Sequence, residues 1–296
     1  MKRPVIIDTP ANIGVFFALA YSSKQFDIRF LSACSYGNAI QLCSARDMLE
    51  MNIPVYTGAV KPIIRDVTSP WRGPKGDRDF SGLFFQSESM YPPESGYVWD
   101  AIMNEAKKQE GALEIITLGS LTNIAIALLK YPALEKLISK ITIMGGARFC
   151  GNCPDAPQSE FNFYYDPEAA HIVIDSGIPI LIADINTCIG VEWNWEDINQ
   201  LFAAVPRIEY MKSYIFRKYG YCCSLNELVA VALADSYSEA KTMNLVANVE
   251  TDSQIARGKL VLEHDTVAMG LEPNATLFSS LDEESLKKRI ISVLNN

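Results

Sequence analysis

The chain is short of basic clusters, long apolar runs and histidine, and each shortage narrows what it can do. Its 26 Lys and Arg are outweighed by 35 Asp and Glu, giving a formal net charge of -9. No Lys/Arg cluster offsets this locally, which argues against a general nucleic-acid binder. No apolar run approaches the ~20 residues of a membrane-spanning helix. Met1-Lys2-Arg3 leads into a strand too short and too soon interrupted to be a signal-peptide core. A cytoplasmic location, no membrane contact and a soluble partner or small ligand are expected. The only histidines are His171 and His264, and the seven cysteines are an odd number spread over 296 residues. That usage points to reduced thiols rather than a disulfide framework. Cys150 and Cys153 have the spacing of a redox or metal pair, but no second pair stands near them. With no repeat, low-complexity segment or clear linker, and 49% hydrophobic residues, the chain reads as one domain over 1–296.

What is present is a β-α alternation. Val5-Ile6-Ile7 is a short apolar run that breaks at Asp8-Thr9-Pro10, and Ile13, Phe17, Ala20 and Tyr21 follow at helical spacing. The same order returns with a strand over Asp27–Cys34, a helix from Ile40 to Met51 and a short strand over Ile53–Gly58. Further strands are expected at Leu113–Leu118, Lys140–Met144 and Ile178–Asp184, with helices over Val98–Lys108 and Ile124–Lys130 and one opening at Asp166-Pro167-Glu168. From Ala59 to Ser95 the pattern stops, as in a binding loop or lid. Beyond Trp193 helices are expected over Glu196–Ala204, Arg207–Lys218, Leu225–Ala234 and Glu283–Leu294, with short strands at Leu245–Val249 and Lys259–Glu263. The fold class that follows is α/β, a doubly wound, mostly parallel open sheet with helices on both faces.

In such a sheet ligands bind at the carboxyl ends of the strands. Asp8, Ser35 to Asn38, Thr122 with Asn123, and Asp184 to Thr187 all fall there. Each could equally be an ordinary turn or capping residue.

The stretch Asp8-Thr9-Pro10-Ala11-Asn12-Ile13-Gly14-Val15-Phe16 resembles the signature of the inosine/uridine-preferring nucleoside hydrolases, Asp-Thr-Asp-Pro-Gly-x-Asp-Asp-Ala, with three of its four carboxylates replaced. Leu118 to Ala125, Ile143-Met144-Gly145-Gly146-Ala147, Glu160 to Ala170, Ser176 to Ile180, Val249-Glu250 and Arg257-Gly258 resemble other segments of that family. The match runs over nearly the whole chain and implies a nucleoside hydrolase-like fold.

The resemblance also implies a chemistry that can be checked by position. Breaking an N-glycosidic bond passes through an oxocarbenium-like ribosyl cation and needs a carboxylate to activate water and help for the departing base. In the family a calcium ion holds the water and two ribose hydroxyls, and calcium takes about six to eight oxygen ligands. Here the base position is Pro10, two metal-ligand positions are Gly14 and Val15, and Asn226 stands where a His would assist the leaving base. Glu227 replaces the remaining metal Asp and keeps its charge. Asp8 and Glu227 are the surviving candidate catalytic carboxylates. Asn38, Met144, Asn152, Glu160 and Asn162 match positions that would hold the ribose, with the alternative that Glu160 and Asn162 brace a long loop.

The expectation is a family member without a cofactor, its calcium site lost, that keeps part of a ribose pocket for a nucleoside or other ribosyl ligand. Alternatives are an active metal-independent hydrolase of N-ribosides and a structural or regulatory subunit. A homo-oligomer, dimer or tetramer, is implied by the resemblance. Asp77, Asp79 and Glu88 of the long loop are further candidate acids.

Overall fold

The computed structural model describes residues 2–35, 37–64, 91–213, 222–223, 225–264, 266 and 270–296. Asp77, Asp79 and Glu88 lie outside the described residues, as does most of the 59–95 loop. At the centre is a nine-stranded sheet. Its strands are β1 (Arg3–Thr9), β2 (Phe26–Ala33), β3 (Val55–Tyr56), β4 (Leu113–Thr117), β5 (Ile138–Met144), β6 (Ile180–Ala183), β9 (Ala240–Val249), β10 (Leu260–Glu263) and β11 (Ala275–Leu281). A separate two-stranded ladder joins β7 (Trp193–Asn194) to β8 (Cys222–Cys223). The order across the large sheet is β10-β9-β11-β6-β5-β4-β1-β2-β3. The strands from β3 across to β11 pair in parallel, while β9 and β10 run antiparallel at one edge.

The apolar residues of β1 explain the two-layered cover. Val5 and Ile7 join the core on one face and Ile6 the core on the other, as the alternation of side chains along a strand dictates. The first face carries α1 (Ile13–Gln25), α2 (Ala39–Met48), α8 (Trp195–Ala204), α9 (Asn226–Asp235) and α10 (Glu283–Asn295). The second carries α3 (Val98–Gln109), α4 (Thr122–Lys130) and α6 (Pro167–Ile174). Two short helices, α5 (Phe161–Tyr165) and α7 (Ile185–Ile189), sit after the carboxyl ends of β5 and β6. Helix α1 is buried from Ile13 to Ser22, which accounts for an apolar sequence without a polar face.

Three expectations need correction. Strand β11 was not expected, and it is inserted between β6 and β9 where its partners supply the pairing. Strand β9 begins at Ala240 rather than Leu245, because its first half pairs with β11. Where a helix over Arg207–Lys218 was expected, Pro206–Met211 forms a 3-10 turn opened by its proline, and residues 214–218 lie outside the described part.

Candidate functional site

Asp8, next to last in β1, lies between Ser32 on β2 and Thr117 on β4. A position inside a central strand leaves it no exposure. Its Oδ1 accepts from the Ser32 hydroxyl and from Asn123 Nδ2, the latter at 2.7 Å. Its Oδ2 is buried without a hydrogen-bond partner. Burial pushes the Asp8 carboxyl up to about 7, against the lowering effect of Ser32 and Asn123. Asn123 also donates to the Ala33 carbonyl at 2.9 Å and accepts from Ala59 N at 2.8 Å. Beside it, Thr122 Oγ1 donates to Asp166 Oδ2 at 2.6 Å, which also accepts from Ile63 N at 3.0 Å. These two residues therefore fasten the segment that follows β3.

A second group gathers after β5. Glu160 is the N-cap of α5 and 2% exposed. Its carboxylate accepts from Gly146 N at 3.1 Å, Asn162 N at 2.9 Å and Phe163 N at 3.3 Å. Burial pushes Glu160 up to about 7, these backbone donors oppose the rise, and the charge of Glu227 adds to it. Asn162 Nδ2 donates to the Met144 carbonyl at 2.9 Å and lies 3.3 Å from Met144 S. Asn152, exposed, accepts from Phe161 N at 2.8 Å. Met144, Asn152, Glu160 and Asn162 thus form one connected unit through contacts that brace the loop. Asn38 is apart from it: exposed, it caps α2 by accepting from Ile40 N and Gln41 N.

A turn from another part of the chain pins this unit. Gly258 has φ +77°, and a Cβ there would lie 2.5 Å from Tyr164 Cα. Arg257 makes a bidentate pair with Glu168, both contacts at 2.8 Å. Gly258→Ala is expected to cost about 2–4 kcal/mol, from the left-handed backbone together with the forced shift of α5. Urea unfolding checks it; a loss below about 1 kcal/mol would mean the turn yields without moving α5.

The third group lies where α1 and α9 begin. Pro10 is buried, and a Cβ on Gly119 would meet its ring at 3.2 Å and Cys34 Sγ at 2.5 Å. Val15 is fully buried in the core. Asn12 caps α1 by accepting from Val15 N at 3.1 Å, and its Nδ2 donates to Glu227 Oε1 at 2.6 Å. Glu227 Oε2 stands 2.3 Å from where a Cβ on residue 14 would be. Asn226 Oδ1 is buried without a partner. Cys188 of α7 links these groups: burial first, then the charges of Asp184, Glu227 and Glu160, hold its thiol well above the usual range.

Asp184, the other expected cleft carboxylate, is committed elsewhere. It caps α7 by accepting from Thr187 N at 2.9 Å and pairs with Arg148 Nε at 2.9 Å. Cys150 is exposed while Cys153 is buried with its thiol pushed up by desolvation. Among the described residues no three His, Cys, Asp or Glu side chains come together in a way that could hold a metal ion. Sequence reasoning passed over Asn12. The signal available was an N-capping residue immediately before a helical pattern, but its partner Glu227 is 215 positions away.

The mostly parallel sheet, covered by helices and carrying polar groups at its carboxyl edge, defines an open α/β protein with a ligand cleft's usual placement. The structure resembles a plant nucleoside hydrolase, PpNRh1, with a TM-score of 0.88 at 23% identity over 100% of this chain and 99% of that one. It also resembles the purine-preferring ribonucleoside hydrolase of Gardnerella vaginalis, with a TM-score of 0.82 at 20% identity over 99% of both chains. In sequence it is 28% identical over 303 residues to the pyrimidine-specific ribonucleoside hydrolase RihA of Salmonella paratyphi A, covering 96% of each chain. The model of the inosine-uridine preferring nucleoside hydrolases matches residues 5–288, and the chain belongs to that family.

Proposed function

We propose that this protein has lost the calcium-dependent hydrolysis of the N-glycosidic bond while keeping part of a ribose-binding pocket, and that it acts as a binding or regulatory member of its family. The observation that carries this reading is the burial of Pro10 beside Gly119: the position matched to the family's base holds a ring without a side-chain oxygen. The donors around it do not suit calcium either. Val15 is core, Asp8 Oδ1 is engaged by Ser32 and Asn123, and Glu227 is held by Asn12, which leaves Asp8 Oδ2 and Asn226 Oδ1 as buried oxygens without a partner against a demand for about six to eight. Of the ribose candidates, Asn152 at the exposed rim and Asn38 at the start of α2 offer amides suited to a diol. A cytoplasmic homo-oligomer, dimer or tetramer, belongs to the same proposal, and no helix among the described residues is long and apolar enough to cross a membrane.

One observation favours a second reading, a metal-independent hydrolase of nucleosides or related N-ribosides. Asp8 Oδ2 has no partner and the carboxyl is pushed up to about 7, a poise suited to a general base at neutral pH. Ribose release from uridine, cytidine, inosine and guanosine, with calcium and with a chelator, separates the two. No release above background under either condition is the expected result. Calcium-dependent release would overturn the loss of the metal reaction, and release that survives the chelator and disappears in Asp8→Asn would establish the second reading.

A further inference from the structure

Helix α1 has no acidic residue in its first turn, although a helix N-terminus favours negative charge. The charge there comes from another helix. Glu227, in the first turn of α9, reaches over to α1 and accepts from the amide of its N-cap, Asn12, at 2.6 Å. Asn12 uses both ends of its amide: Oδ1 caps Val15 N on its own helix and Nδ2 grips the carboxylate of the other. At the same time Glu227 Oε2 lies 2.3 Å from the position a Cβ on residue 14 would take. Real Cβ atoms do not approach an oxygen that closely, so a side chain at 14 would push the tip of the glutamate aside, and the cost of that shift is the hold it has on Asn12.

We infer that Asn12 and Glu227 form a clamp that ties the first turn of α1 to the first turn of α9, and that Glu227 fills the place of the side chain missing at Gly14. The floor between the two helices then holds a carboxylate from position 227 or one from position 14, never both in these conformations. The carboxylate of Glu227 aligns the two helix ends by a direct hydrogen bond. The clamp holds whether or not a riboside binds, so its test is separate from that of the pocket.

Thermal unfolding of single and double variants tests it in the full chain. Asn12→Ser keeps an N-cap but removes the amide donor, and it should lower the midpoint by about 4 °C or more. In a Glu227→Ala background the same change should have no further effect, because the partner is already gone. Gly14→Asp should lower the midpoint in the native background and lose most of that penalty beside Glu227→Ala. If Glu227→Ala does not fold, Glu227→Asp, which draws the oxygens back by one methylene, carries the same comparison. Glu227→Gln keeps the length and should leave the Gly14→Asp penalty in place. Equal penalties for Gly14→Asp beside native and shortened residue 227, or additive losses for Asn12→Ser and Glu227→Ala, would overturn the clamp.

Discussion

Glu160→Ala is expected to lower stability by about 3–5 kcal/mol, measured by urea unfolding, whether or not any ligand is present. The carboxylate accepts from three backbone N–H groups, those of Gly146, Asn162 and Phe163, and the residue is buried. Removing it strands those donors away from water. Each buried unsatisfied donor costs about 1–3 kcal/mol, and loss of an N-cap alone costs about 1 kcal/mol. Partial entry of water into the space left by the side chain keeps the total below the simple sum. Glu160→Gln should cost less, because an amide oxygen in the place of Oε2 still accepts from all three donors and only the NH₂ group facing Asn162 N is mismatched. If the alanine variant lost less than about 1 kcal/mol, the carboxylate would not be the brace of this loop, and a direct role toward ligand hydroxyls would become the better reading.

Stability should fall, not rise, as pH increases from 5 to 8. Burial lifts Asp8 and Glu160 from ordinary carboxylate values to about 7. A carboxyl with a raised folded-state pKa holds its proton in the folded state after the unfolded chain has released it. Its stabilising contribution is complete below about pH 4, shrinks as pH rises toward 7, and is gone above that. One pKa unit corresponds to 1.36 kcal/mol, so the change assigned to Asp8 is roughly 2–4 kcal/mol over this window. Exposed and ion-paired carboxyls held below their usual range, such as Glu239 beside Arg289, act mainly below pH 5 and do not mask the slope. Asp8→Asn removes one of the two groups and should cut the slope between pH 5 and 8 to about half, the remainder belonging to Glu160. Urea midpoints that stay level or climb across that range in the native protein would contradict the burial argument.

The parallel half of the fold was legible in the sequence because its strands are short apolar runs separated by amphipathic or buried helices, the pattern of a sheet covered on both faces. Strand β11 was not. Ala275–Leu281 carries two serines, and it becomes a strand only because β6 and β9 stand on either side of it. The first half of β9 is mostly exposed and gives no periodic signal for the same reason.

At the site, the family resemblance singled out Met144, Asn152, Glu160 and Asn162, whereas the use of their polar atoms could not be read from the sequence. Which lone pairs a carboxylate commits to backbone donors depends on how the loop closes, here on Gly146 N turning toward Glu160. Asp8 could be placed at a strand end from sequence alone. Its full burial and its unpartnered oxygen follow from β1 lying between β2 and β4. The tie of Glu227 to Asn12 is not legible in the sequence, because it exists only once α1 packs on α9.

The most direct test of the lost metal site is a calcium titration of the native protein, followed by calorimetry and by thermal unfolding in parallel. A ligand that binds the folded state raises the unfolding midpoint in proportion to the logarithm of its concentration over Kd. With Pro10, Gly14 and Val15 supplying no side-chain oxygen, no saturable heat and no midpoint shift are expected up to millimolar calcium. A single tight site with one calcium per chain, accompanied by a rising midpoint, would contradict the account.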